Sequence, residues 1–348
     1  MQRPFLARKI LALFLTALLM PTTVSAVQIL KYSDHEPLGG MRTSFIKDVF
    51  FAEIEKESQG RLKVDAHWNS ELARSYDALG IVKEGKVADM AIVVPEYTPK
   101  EFPLQQIFKS FPVGPTGAHQ VEFFRKAYDT IPALQAEVAQ QNVVNLFLAT
   151  GYPVAFFSTK PLNKLDDITG QKWRSASFWH QDFLKNTGAI PVSMPWGEGI
   201  YEALKAGSLD GLMVNVDSGY ELNVHKTAPN VLISKDLWLG HVYLLVMNKD
   251  TWNKLADEDK QAIQRAASKA YQTLGSVMDS SFDSMVGELT HNGVKIRQLS
   301  SVEVAHWESA TQYQQVQEKW VKEQESKGVK EAGPTMDKVT ALLKESMK

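Results

Sequence analysis

The sequence predicts an α/β protein of two lobes, each an open mixed sheet with flanking helices. Three observations carry that prediction. Short segments of strand character alternate with longer stretches of helical periodicity. Ala88-Asp89-Met90-Ala91-Ile92-Val93-Val94 is nearly all apolar, as suits a strand buried on both faces of a mostly parallel sheet. The alternation then restarts after Gly151-Tyr152-Pro153, in a chain long enough to bury two cores.

The elements follow in order. Val27-Gln28-Ile29-Leu30-Lys31-Tyr32 alternates like a strand and runs into the polar, glycine-rich loop Ser33-Asp34-His35-Glu36-Pro37-Leu38-Gly39-Gly40. A helix from Met41 to Ser58 follows, with Phe45, Val49, Ala52 and Ile54 at helical spacing. A loop between a strand and a helix N-terminus is a common place for ligand contacts, which makes His35 and Glu36 candidates. Arg61 to Trp68 reads as the second strand, and the helix after it ends near Gly85. The apolar strand delivers Pro95-Glu96-Tyr97 to its carboxyl end. One helix is expected from Gln120 to Gln140 and a strand from Asn142 to Ala149.

The second run begins at Val154. Leu165-Asp166-Asp167-Ile168-Thr169-Gly170 forms a capped turn, and Lys172-Trp173-Arg174 a strand. A helix start at Phe178-Trp179-His180, a strand at Ile190 to Met194, and a helix through Tyr201-Glu202-Ala203-Leu204 complete that order. Tyr243 to Asn248 reads as a further buried strand, and Asp257 to Asn292 as a helix long enough to lie across both lobes. Terminal helices are expected over Trp307–Ser326 and Met336–Met347. The expected division is a leader over 1–26, lobe I over 27–150 with about 240–275, and lobe II over 151–239 with about 276–348.

Arg3, Arg8 and Lys9 precede the apolar run Ile10 to Met20, broken by Pro21, and Val24-Ser25-Ala26 offers small residues for cleavage. The run is shorter than the roughly 20 residues a spanning helix needs, so it reads as a secretory signal with the mature chain starting at Val27. Taking those three basic residues from 38 Lys+Arg leaves 35 against 40 Asp+Glu, a net charge of −5. No basic stripe of the kind nucleic-acid binding needs is present. With no cysteine, neither disulfides nor a lipidated N-terminal cysteine is available, which fits a soluble periplasmic protein.

Catalytic constellations are missing from the sequence. The eight histidines form no His-Glu-x-x-His pattern, Gly39-Gly40 and Gly197-Glu198-Gly199 lack nucleotide-loop spacing, and no serine sits in a Gly-x-Ser-x-Gly elbow. The expectation is a binding protein, not an enzyme, with neither metal nor cofactor. Arg174, at a strand end with aromatics nearby, suits a planar carboxylate clamp. An arginine beside two aspartates, here Asp166 and Asp167, is on spacing alone more often a surface ion pair. Phe178 and Trp179 either face the cleft or pack the helix start.

Several stretches together resemble a known family. They are Phe51 to Val64, Val82-Lys83-Glu84-Gly85-Lys86-Val87-Ala88-Asp89-Met90-Ala91, Phe102-Pro103-Leu104, Leu165 to Arg174, and Glu202-Ala203-Leu204-Lys205-Ala206-Gly207-Ser208-Leu209-Asp210-Gly211. In order and spacing the chain resembles the solute-binding subunit of tripartite ATP-independent periplasmic (TRAP) transporters, the DctP-type family. The resemblance implies a two-lobed periplasmic-binding-protein-like fold that closes over one small organic acid and presents it to membrane permease subunits driven by an ion gradient. It puts the carboxylate-binding arginine on Arg174, an aromatic wall on Trp196 and an acidic residue on Glu96. The family's asparagine falls on Val214 by strict count and on Asn215 if the turn is shifted. A second basic residue, common in the family, falls near Val154 and is absent. The chain is expected to act as a monomer. The same fold could instead report a ligand to a membrane receptor.

With Arg174 as one strong cation and Glu96 opposite, the expected ligand is a small monocarboxylate with a hydroxyl, keto, amino or aromatic group. A C4-dicarboxylate is the alternative, if a lysine or backbone amide group holds the second carboxylate.

Overall fold

The computed structural model describes residues 26–348. Apart from Ala26, the expected leader lies outside the described residues. In chain order the strands are β1 (Gln28–Ser33), β2 (Leu62–His67), β3 (Met90–Val93), β4 (Val143–Thr150), β5 (Val154–Ser158) and β6 (Lys172–Arg174). Then come β7 (Ile190–Val192), β8 (Gly211–Asn215), β9 (Asn230–Ile233), β10 (Val242–Asn248) and β11 (Lys295–Gln298).

They form two sheets, one per lobe. The first has the order β2-β1-β3-β10-β4, with β1 parallel to β2 and β3, and β10 antiparallel to both β3 and β4. The second has the order β11-β9-β5-β8-β6-β7, in which β6 is parallel to β7 and β8 and β5 is antiparallel to β8 and β9. Every residue of β3, β5, β8, β9 and β10 is buried, which is why these segments are apolar runs without alternation. The chain passes between the sheets at 151–153 and again at 234–241. Gly240 occupies the second passage with φ +64°, and a Cβ there would lie 2.0 Å from the Phe108 carbonyl oxygen. Only glycine fits that combination of backbone and neighbour.

The 35-residue helix Asp257–His291 spans both lobes. It packs against Ala52–Glu57 and Gly117–Thr130 beside the first sheet, and against Val216–Glu221 and β11 beside the second. Among the described residues no helix is long and apolar enough to cross a membrane.

Local details depart from the sequence reading, each for a physical reason. The helix expected over 120–140 is two helices, Gly117–Thr130 and Pro132–Gln140. Pro132 donates no amide hydrogen bond and drives Ile131 into an extended conformation, φ −113° and ψ 91°. The helix expected over 307–326 is likewise two, Ser301–Ala310 and Tyr313–Ser326, parted at Gln312, whose φ is +51°. The Met41–Ser58 run contains the π-helical stretch Ile46–Phe51, within which two adjacent aromatics bury at once. Phe50 stacks on Phe147 at 4.7 Å and Phe51 meets Tyr32 edge-on at 4.9 Å. The C-terminal helix Ala332–Ser346 packs against Gly117–Thr130 and Leu104–Lys109, beside the first sheet.

Candidate functional site

The carboxyl ends of β1, β3, β6 and β8 converge on a cavity between the lobes. Ligand sites of α/β sheets form there because the loops leaving parallel strands are unconstrained by the ladder. One wall carries His35, Glu36, Glu96, Tyr97, Lys109 and His241; the other carries Arg174, Ser177, His180, Trp196, Val214 and Asn215.

Arg174 is the last residue of β6 and is 1% exposed. Its Nε and Nη2 donate to the Met194 carbonyl oxygen at 3.0 and 2.9 Å, and its guanidinium lies 5.5 Å from the Trp196 ring centroid. It makes no ion pair among the described residues, so the surface-pair reading does not hold. Asp166 instead meets His306 at 2.8 Å, and Asp167 accepts the backbone N–H of Asn163 at 2.8 Å. Burial pulls the Arg174 pKa down, but a guanidinium stays protonated in proteins. A guanidinium has five N–H donors, and Met194 occupies two of them. The Nη1–Nη2 edge keeps its two parallel donors.

Glu96 leaves β3 into the 3-10 turn Pro95–Tyr97. Its side chain is 5% exposed and lies 3.0 Å from Lys109 Nζ and 3.2 Å from His241 Nε2. Burial acts to raise its pKa; Lys109 and then His241 outweigh it and hold the carboxyl below the usual range. Burial likewise lowers the Lys109 pKa, against the opposing pull of Glu96. Strand register explains His241: because β10 runs antiparallel to β3 with Leu244 opposite Val93, the residue preceding β10 lies beside the chain leaving β3. Lys109 ends the 3-10 helix Leu104–Lys109, whose first amides donate to the Glu137 carboxylate at 2.7 and 3.3 Å.

Asn215 ends β8 and is 1% exposed. Its Nδ2 donates to Asp217 and, at 2.8 Å, to Ser218 Oγ, leaving Oδ1 without a donor. Val214 lines the cavity beside it, so both sequence candidates reach the site. Val154 pairs with Asn215 in the sheet and is not part of the lining. His35 and Glu36 do line it. Their loop is fixed by Arg42, which donates to Asp34 at 2.7 and 2.9 Å and to Glu36 at 2.6 Å. Burial lowers the pKa of His35, and takes His180 to about 3 and His241 to about 4, so all three are neutral at pH 7.

Two candidates fall away. Trp179 is fully buried against Trp320, with centroids 5.2 Å apart, and Phe178 is 37% exposed; neither lines the cavity. A residue at a helix start faces the sheet or the solvent according to helical phase, and here the phase turns both away. The count of cationic groups is also corrected: Lys109 stands in the cavity wall, a second cation beside Arg174 that the sequence did not place. Its signal was a lone charge inside the apolar run Ile107-Phe108-Lys109-Ser110-Phe111. Among the described residues no group of three His, Cys, Asp or Glu is placed to hold a metal ion.

The family model described as bacterial extracellular solute-binding protein, family 7 (DctP) matches residues 43–323. The chain is 27% identical over 256 residues to the ectoine-binding periplasmic protein TeaA of Halomonas elongata, covering 69% of this chain and 71% of that one. Its fold matches a TRAP solute-binding protein from Rhodoferax ferrireducens, crystallised with copurified benzoate. The TM-score is 0.80 at 21% identity, covering 92% and 99% of the two chains. It matches equally a marine metagenome TRAP solute-binding protein specific for aromatic acid ligands, in complex with 3-hydroxybenzoate. There the TM-score is 0.80 at 21% identity, over 93% and 100% of the chains.

Proposed function

The chain belongs to the DctP family of TRAP solute-binding proteins, and we propose that it captures a small monocarboxylate between its lobes and hands it to an ion-gradient-driven membrane permease. The observation that carries this reading is Arg174: a buried cation without an acidic partner among the described residues, its Nη1–Nη2 edge free of protein acceptors there, in the wall of an interlobe cavity. An uncompensated buried charge is costly unless a ligand completes it. Trp196 lies against the guanidinium and supplies an apolar face for the body of the ligand. Asn215 Oδ1 and Ser177 Oγ are buried without partners among the described residues; the amide oxygen accepts from polar groups on that body, and the hydroxyl donates or accepts. Relatives named for benzoate, 3-hydroxybenzoate and ectoine support a compact acid over an extended polyanion.

The lobes in this reading are 27–150 with about 240–275, and 151–239 with about 276–331, in the mature periplasmic protein. The helix Ala332–Ser346 goes with lobe I, on which it packs. A thermal-shift screen of organic acids tests the ligand class, since binding to the native state raises the melting temperature with ln(1 + [L]/Kd). Monocarboxylates are expected to stabilise the protein. Stabilisation by succinate, malate or fumarate alone overturns the proposal.

A further inference from the structure

We propose that the Glu96–Lys109 pair, with His241 beside Glu96, is a charge filter in the cavity wall: it masks a lysine so that the site accepts a monocarboxylate with an uncharged body and rejects a second carboxylate or an ammonium group. The inference rests on the ligand class proposed above and names how that class is selected.

The geometry is closed on both sides of the carboxylate. Lys109 Nζ is 3.0 Å from Glu96 Oε2, and His241 Nε2 is 3.2 Å from Oε1, with all three side chains under 10% exposed. Lys109 also donates to the Leu239 carbonyl oxygen at 3.4 Å, so one of its three N–H donors is left for the cavity. A second ligand carboxylate drawn to that donor lies beside Glu96 as well and meets equal repulsion. A ligand ammonium drawn to Glu96 meets Lys109. A hydroxyl or carbonyl oxygen accepts the remaining Nζ–H without either cost.

Stability does not account for the pair. A buried ion pair is no better for folding than apolar groups of the same volume, yet this one is built with care. Glu137 caps the 3-10 helix that ends in Lys109, and Trp238 Nε1 donates to the Phe108 carbonyl oxygen at 2.6 Å, one residue before it. The antiparallel register of β10 sets His241 against the carboxylate. Three separate parts of the chain hold two opposite charges in the wall of a ligand cavity. Selection among ligand charges is the role that uses all of them.

The test compares matched ligands by titration calorimetry at pH 7: benzoate, isophthalate and 3-(aminomethyl)benzoate, and butyrate, succinate and 4-aminobutyrate. Glu96→Gln keeps the shape and unmasks Lys109. It should raise dicarboxylate affinity by about tenfold or more relative to the matched monocarboxylate. The double variant Glu96→Gln/Lys109→Met should lose that gain, and Lys109→Met alone should shift preference toward the amino acids. A folded Glu96→Gln with no dicarboxylate gain, or a gain that survives in the double variant, overturns the filter. If circular dichroism shows Glu96→Gln unfolded, the Lys109→Met preference decides: a shift toward the amino acids supports the filter and no shift overturns it. Failure of the wild type to bind any monocarboxylate overturns the ligand class instead, while the unmasking comparison is still read between variants.

Discussion

Replacing Arg174 should separate binding from stability. The side chain is 1% exposed and has no acidic partner among the described residues, its protein contacts being two hydrogen bonds to one carbonyl oxygen and the Trp196 face. In the ligand-free protein the desolvation of that charge is poorly compensated, so Arg174→Met, similar in length and uncharged, should leave apo stability within about 1 kcal/mol of wild type or raise it. In the complex the same change removes a charge-assisted, two-point hydrogen bond between the lobes, worth at least about 2 kcal/mol. That corresponds to a loss of roughly 30-fold in affinity. Arg174→Ala should lose as much, and Arg174→Lys nearly as much, because an ammonium keeps the charge but not the parallel donors. Calorimetric titration with the acid identified by thermal shift measures the affinity, and urea melts of the ligand-free variants measure the stability. The reasoning fails if Arg174→Ala binds within threefold of wild type. It fails also if Arg174→Met costs several kcal/mol of apo stability, since Arg174 would then be a structural residue.

Other outcomes follow from the same geometry. Because the chain crosses between sheets at 151–153 and 234–241, saturating ligand should lower the radius of gyration seen by small-angle scattering; an unchanged profile rules out large closure. Gly240→Ala should cost at least about 2 kcal/mol in a denaturant melt, since φ is +64° and the new Cβ would lie 2.0 Å from the Phe108 oxygen; a loss below 0.5 kcal/mol counts against that contact. Acid stability should depend on the buried histidines. His180, at about 3 when folded, lies below its unfolded value near 6.5, so its contribution is fully present above pH 6.5 and is lost as the pH falls toward 3. His180→Gln should therefore flatten the decline of melting temperature between pH 6.5 and 4; an unchanged slope contradicts a neutral buried imidazole.

The sequence by itself determined the lobes, the long spanning helix and Arg174, because each is written locally. Uninterrupted apolar runs announce strands buried on both faces, a 35-residue periodicity announces the helix, and a capped turn followed by Lys172-Trp173-Arg174 places the arginine at a strand end. Trp196 and Glu96 were legible through the resemblance to the DctP-type family, which puts an aromatic wall and an acidic residue on them. Partnership was not legible. Lys109, Glu96 and His241 come from three segments more than 10 residues apart: the 3-10 helix Leu104–Lys109 brings Lys109 to Glu96, and β10, antiparallel beside β3, brings His241. Helical phase turned Phe178 and Trp179 from the cavity, a matter of a fraction of a turn that residue types do not encode. Pro132 is a local signal for the break after Thr130. Whether a charge is paired or waiting for a ligand depends on distances across the fold, and only the tertiary structure sets those.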